Sequence, residues 1–155
     1  MSFFRTKANK SAGFTLIELM IVVAIMGVLA SIALSQYLDD APKAQVAGAL
    51  AEITPVKGMI EEKINEGLTV DEAAALSGKT ATPLGNLGIS STSSQRCSEY
   101  ISSVSIDGTG SIICTMTGAW AVEGKTLQWS RTAGGVWTCT SDVDEKYRPK
   151  GCNAA

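Results

Sequence analysis

The chain has 155 residues, 45% of them apolar, with 13 basic and 15 acidic side chains, a formal net charge of −2 and no histidine. Its length suits one domain, or one domain with an appendage, and its apolar content excludes general disorder. The absence of histidine excludes Ser-His-Asp and Cys-His catalysis and every histidine-containing metal site, and the charge makes no general case for nucleic-acid binding.

The first element is an apolar run. Residues 14–34 read FTLIELMIVVAIMGVLASIAL, 21 residues with one charge, Glu18, and residues 19–38 carry none. About 20 apolar residues span a bilayer as a helix. Arg5, Lys7 and Lys10 precede the run without any acid, and Asp39 and Asp40 follow it. Positive charge before the span keeps the amino terminus cytoplasmic and sends the rest of the chain across the membrane. Three readings compete. One is a secretory signal peptide cut at the small-x-small site Ser31-Ile32-Ala33, one is a plain single-pass anchor, and one is a segment cut before the apolar run.

The string GFTLIE at residues 13–18 favours the third, because it resembles the cleavage region of the type IV prepilins. The resemblance continues through residues 19–25 to about Ala33. It implies that a prepilin peptidase cuts between Gly13 and Phe14 and methylates Phe14. It implies also that Glu18, the fifth residue of the mature chain, pairs with the terminal amine of a neighbouring subunit during assembly. A carboxylate within a membrane span is costly and takes a partner, or it snorkels to the interface when it lies near the end of the span. Removal of the three basic leader residues leaves a mature chain of net charge −5.

Helical spacing continues beyond the span. Apolar residues recur at Val46, Leu50, Ile53, Val56 or Met59, Ile60 and Ile64, with Glu61, Glu62 and Lys63 on the polar face and Gly67 as the stop. A helix over residues 14–66 is about 80 Å long at 1.5 Å per residue. Its first half therefore needs lipid or other subunits around it, and its second half packs under the remaining domain. Pro42 and Pro55 are expected to kink it. Pro55 matches a proline of the pilin helix, whereas a second family proline would fall at Ser35 and is missing. Gly27 remains a weak point.

Residues 67–98 read as the connection between helix and sheet. Within them, residues 69–77 form a short helix with Thr69 as N-cap, Glu72 completing a capping box and Gly78 closing it, and residues 79–94 read as loop. Strands follow at 100–106, 111–117, 126–131 and 136–140, separated by turns at 107–110, 123–125 and 133–135. Short turns imply antiparallel order. The predicted fold class is α+β, a long amino-terminal helix packed under a four-stranded antiparallel sheet at residues 99–155, as the pilin resemblance also implies. Trp120, Trp129 and Trp137 are read as core or sheet-face packing.

Cys97, Cys114, Cys139 and Cys152 all lie beyond the span, in an exported compartment where disulfides persist, and three pairings are open. The pilin resemblance implies Cys139–Cys152, the closure of a carboxy-terminal loop, which leaves Cys97–Cys114. Their spacings fit no common zinc site. In that loop Asp142, Asp144 and Glu145 read as a solvated acidic turn rather than a calcium site, and Lys146, Arg148 and Lys150 form a basic cluster for surface contacts.

No phosphate loop, nucleophile elbow or paired acid is present. The chain is read as a non-enzymatic subunit without cofactor. It polymerises with itself, is cut by prepilin peptidase and is handled by the pilus assembly machinery of the inner membrane. The resemblance implies an extracellular filament for adhesion to host or abiotic surfaces, twitching motility and DNA uptake. The alternatives are a minor pilin or type II secretion pseudopilin and, more remotely, an anchored periplasmic binding domain.

Overall fold

The computed structural model of the protein describes residues 13–155. Arg5, Lys7, Lys10 and the rest of the leader before Gly13 lie outside the described residues. The chain divides into two compact units, with Tyr37 the last residue of the first and Leu38 the first of the second. Helix α1, Leu16–Glu66, supplies residues to both.

In the first unit the described residues are helical from Leu16 onward, and every one of them is exposed. The most apolar 18-residue window of α1 has a mean hydropathy of 2.6 and no buried residue. This helix segment is held by its own backbone hydrogen bonds and, among the described residues, has no apolar partner within its unit.

The second unit begins with the rest of α1. Its buried residues, Pro42, Val46, Ala49, Ile53, Val56 and Ile60, recur in alternating steps of four and three, which places them on one stripe. The stripe runs through Ala49, and Leu50, Met59 and Ile64 pack along its flanks half-buried. Ile53 and Ile60 are fully buried, each contributing about 1.5–3 kcal/mol of transfer free energy. The helix continues unbroken through Pro42 and Pro55. It stops at Gly67, whose φ of 90° suits glycine, and the Gly67 amide donates to the Ile64 carbonyl.

Two short helices lead to the sheet. In α2, Val70–Ala75, Thr69 and Glu72 form the reciprocal capping box. The second, α3, Ala81–Asn86, lies where the sequence reads as loop. Its segment, ATPLGN, has poor helix propensity, and burial of Pro83, Leu84 and the following Leu87 holds it in place.

The sheet comprises β1 (Cys97–Val104), β2 (Gly110–Met116), β3 (Thr126–Arg131), β4 (Trp137–Ser141) and β5 (Cys152–Ala154), in that spatial order. The first four pair antiparallel, as short turns require, whereas β5 runs parallel to β4 with Cys139 opposite Cys152. The expected sheet of four strands thus has a fifth. Three residues are too few to show a strand pattern, and only the returning loop brings them alongside β4. A register shift between Cys97 and Glu99 lets Cys97, Tyr100, Ser102 and Val104 all face inward. At Gly110 the sheet approaches α1 so closely that a Cβ there would sit 3.1 Å from Ile60 Cγ2. The free edge of β1 is covered by Gly78, which exchanges two backbone hydrogen bonds with Ser102.

Candidate functional site

The amino-terminal end of α1 is built by two residues three positions apart, Thr15 and Glu18. Thr15 occupies the N-cap position, before the first helical residue Leu16. Its hydroxyl accepts from the Glu18 amide at 3.3 Å, while the Thr15 amide and hydroxyl donate to Glu18 Oε2 at 2.9 and 2.6 Å. The pair satisfies helix amides that have no partner in the first turn, and the carboxylate sits at the positive end of the helix dipole. Glu18 is thereby held on the first turn, with Gly13 and Phe14 exposed just ahead of it. Thr15-x-x-Glu18 carries the same sequence signal that marks Thr69 and Glu72. Further along, Ser31 and Ser35 donate their hydroxyls to the Val28 and Ile32 carbonyls, and the helix is continuous from Gly27 to Ser35.

In the second unit two acid-centred clusters join α1 to the sheet. Glu61 receives Arg131 Nε at 2.8 Å, Arg131 Nη2 at 3.0 Å and Trp137 Nε1 at 2.7 Å. These hydrogen bonds hold the Glu61 carboxyl below its ordinary value, Arg131 first and Trp137 second. Beside them, Lys57 Nζ lies 3.7 Å from the Trp129 ring centre and 5.5 Å from that of Trp137. Trp129 Nε1 donates to Thr54. Glu61, read from its spacing as part of a solvated face, is therefore turned to β3 and β4. The second cluster is Glu52, which accepts from Ser94, Arg96 and the Tyr100 hydroxyl at 2.7–2.8 Å. Burial pushes the Glu52 carboxyl up, but the hydrogen bonds from Ser94, Tyr100 and Arg96 outweigh it and hold the group low.

Trp129 and Trp137 do lie on strands and pack against α1, but Trp120 does not share that role. It stands 80% exposed in the turn between β2 and β3, so the reading of all three as core or sheet-face residues is corrected there. The turn buries Ala121 and Val122 instead.

Both disulfides are formed, Cys97 with Cys114 and Cys139 with Cys152. Within the loop closed by the second, Val143 and Tyr147 are buried and Asp142 accepts from the Thr126 amide. Asp144 and Glu145 point to solvent, and among the described residues no group of three His, Cys, Asp or Glu side chains is placed to hold a metal ion. The three basic residues of the loop have separate surroundings. Lys146 pairs with Asp39 at 3.7 Å, Arg148 donates inward to the Val143 carbonyl at 2.8 Å, and Lys150 is exposed.

The domain architecture and the apolar first helix match known proteins. Residues 42–153 match the family model described as pilin, a bacterial filament protein, and residues 8–34 match the prokaryotic N-terminal methylation motif. The chain belongs to the type IV pilins. The pilin is 38% identical over 156 residues to the type IV major fimbrial protein FimA of Dichelobacter nodosus, covering 90% of this chain and 94% of the relative. It is 36% identical over 159 residues to a type IV major alpha-pilin of Moraxella bovis, covering 93% and 98%. It is also 35% identical over 160 residues to a probable minor fimbrial protein of Dichelobacter nodosus, covering 93% and 96%. As a member of this family the pilin is a structural subunit and not an enzyme. The methylation motif spans Gly13, Phe14 and Glu18, the residues gathered at the start of α1.

Proposed function

We propose that this pilin is the major subunit of a type IV pilus. One observation carries the reading: a helix segment with a single charge, Glu18, is exposed along its whole described length ahead of a folded, disulfide-closed domain. Such a surface needs lipid before assembly and apolar neighbours afterwards. Cleavage between Gly13 and Phe14 by prepilin peptidase frees the Phe14 amine, which is then methylated. Glu18, four residues on, offers its carboxylate to the cationic amine of a neighbouring copy, so that two charges are compensated together within the bundle of helices. The subunit resides in the inner membrane, is extracted by the assembly machinery there, and ends in an extracellular filament.

Removal of Arg5, Lys7 and Lys10 leaves a mature subunit of net charge −5. A filament of such subunits is acidic on average, so contact with DNA or with anionic host and abiotic surfaces relies on local basic groups such as Lys146 and Lys150 rather than on the net field. Attachment, twitching motility and DNA uptake are the roles that this filament would serve.

The names of the relatives support both a major and a minor subunit, since a probable minor fimbrial protein matches at 35% identity beside major ones at 35% and 38%. Sheared surface filaments decide between them. This chain as their dominant component, starting at methylated Phe14, is the expected result. Its presence only in trace amounts means the minor role, and a mature start at Leu34 or an intact Met1 overturns the pilin processing scheme.

A further inference from the structure

The sheet has a second face, opposite the one packed on the buried stripe of α1. In β2, buried Ile112 and Cys114 alternate with half-buried Ser111, Ile113 and Thr115, and the pleat puts this second set on the outer face. Cross-strand register carries the face through all five strands. One row is Ser103, Ser111, Ser130 and Thr138, and the next is Ile101, Ile113, Gln128, Thr140 and Asn153. None of the nine is buried and none is charged. Among the described residues only Ser130 uses its side chain within the protein, donating to the Thr138 carbonyl at 3.4 Å. The other hydroxyls and amides face outward on strands that fix their spacing, about 4.8 Å from strand to strand and about 6.8 Å from row to row.

Charge enters only at the row beyond, where Glu99 is matched by Lys79 at 3.1 Å and Asp142 accepts from the Thr126 amide. The folded unit is otherwise acidic, since of 15 acidic side chains only Glu18 lies outside it, against 10 basic ones within. This chemistry selects a partner. A polyanion finds no cation on the two rows and meets an acidic unit around them. An apolar partner strips water from seven polar side chains and leaves them unpaired. A second folded copy needs more room, because the two rows with their margins cover about 350 Å², whereas a stable protein interface takes about 800 Å² from each partner. A neutral polymer with a repeating hydroxylated unit satisfies each of these limits. It pairs with neutral donors and acceptors, and it repeats a small contact along its length.

We propose that the outer face of the sheet is a contact surface for neutral polysaccharide, weak in a single subunit and strengthened by repetition along a filament. The contact is a property of the folded unit alone. Only the strengthening rests on the reading of the chain as a filament subunit.

The test uses the mature full chain on cellulose and on carboxymethyl cellulose, as subunits in a detergent without a sugar headgroup and as sheared filaments. The expected results are delay of subunits on cellulose, tighter retention of filaments, no retention on the anionic derivative, and no change between about 0.05 and 0.5 M NaCl. Gln128→Glu and Thr138→Glu each put one charge on a row and should weaken retention about tenfold at unchanged Tm. Gln95→Glu, which adds the same charge at an exposed position before β1, should match the wild type. Equal retention of the wild type and both row variants overturns the proposal. So does retention that salt abolishes, or its absence for subunits and filaments alike. Row variants that keep their Tm but no longer enter filaments also overturn it, and assign the face to a second copy. A wild type that forms no filaments while its subunits are delayed on cellulose supports the contact and overturns the filament reading alone.

Discussion

Arg96 lies across Gly48. The guanidinium stem of Arg96 fills the space where a side chain on Gly48 would begin, with Arg96 Cδ 2.8 Å from the position of a Cβ. From there Arg96 Nη1 reaches Glu52 Oε1 at 2.7 Å, one helical turn along α1. A glycine inside a helix costs roughly 0.5–1 kcal/mol relative to alanine, and here it makes room for the Arg96–Glu52 contact, between residues 44 positions apart in sequence.

Gly48→Ala is expected to change total stability little, because the gain in helix propensity offsets the displaced arginine. Its signature is a loss of coupling. In the wild type Arg96→Met should cost about 0.2–1 kcal/mol, the range for a half-exposed ion pair, and in the Gly48→Ala background almost nothing. A double-mutant cycle by urea unfolding of the mature chain in detergent reads the difference, and equal costs in both backgrounds would contradict it.

Glu61 gives the clearest effect on stability. Arg131 is only 9% exposed and its guanidinium is held by the Glu61 carboxylate. Glu61→Ala leaves Arg131 Nε and Nη2 and the Trp137 N–H without their acceptor, while Arg131 Nη1 keeps the Gly108 and Thr132 carbonyls, and it should destabilise the folded unit by about 1–3 kcal/mol. Glu61→Gln should recover part of the loss, since the amide oxygen still accepts one hydrogen bond.

The same groups set an acid limit. Glu61 and Glu52 both lie below the ordinary carboxylate value of 4.5 in the folded protein. A depressed folded value means that the unfolded chain takes up protons first as pH falls. The stabilisation is therefore present in full above about pH 5 and is lost progressively below pH 4.5. Tm measured across this range should fall with pH in the wild type and less steeply in Glu52→Gln/Glu61→Gln; parallel curves would mean that other carboxylates set the limit.

Thr15 and Glu18 separate capping from assembly. Thr15→Ala removes one side of the cap and should cost about 1 kcal/mol at the helix start while leaving filaments in place. Glu18→Ala removes the cap together with the carboxylate proposed to pair with the neighbouring amine. It should leave membrane insertion intact and abolish piliation, as counted in sheared filament preparations. Normal piliation in Glu18→Ala would refute the pairing role.

The two disulfides should fail differently. Each closes a short loop, with separations of 17 and 13 residues, and stabilises by about 3 kcal/mol in the chain-entropy model. Cys139→Ser/Cys152→Ser releases the three-residue β5, so rapid amide exchange at Asn153 and Ala154 is expected while β1–β3 stay protected. Cys97→Ser/Cys114→Ser should instead loosen the start of β1, where Cys97 is fully buried.

What the sequence determined on its own is what short-range rules control. The apolar run, its single charge at Glu18, the Thr69–Glu72 capping box, the stop at Gly67 and the bounds of β3 all depend on residues within a turn or two of each other, or on a repeat along one element. The tertiary structure decided what no local pattern contains. Propensity argues against α3, and burial of Leu84 and Leu87 overrides it. The strand β5 is too short to announce itself, and a closed loop aligns it. Glu61 has the spacing of a solvated residue, yet Arg131 and Trp137 approach it from 70 and 76 residues away. Trp120 has the composition of a core residue and ends outside, because the turn that carries it spends Ala121 and Val122 on the core instead. Periodicity assigns a side chain to a face, and only the packed partner decides whether that face meets protein, lipid or water.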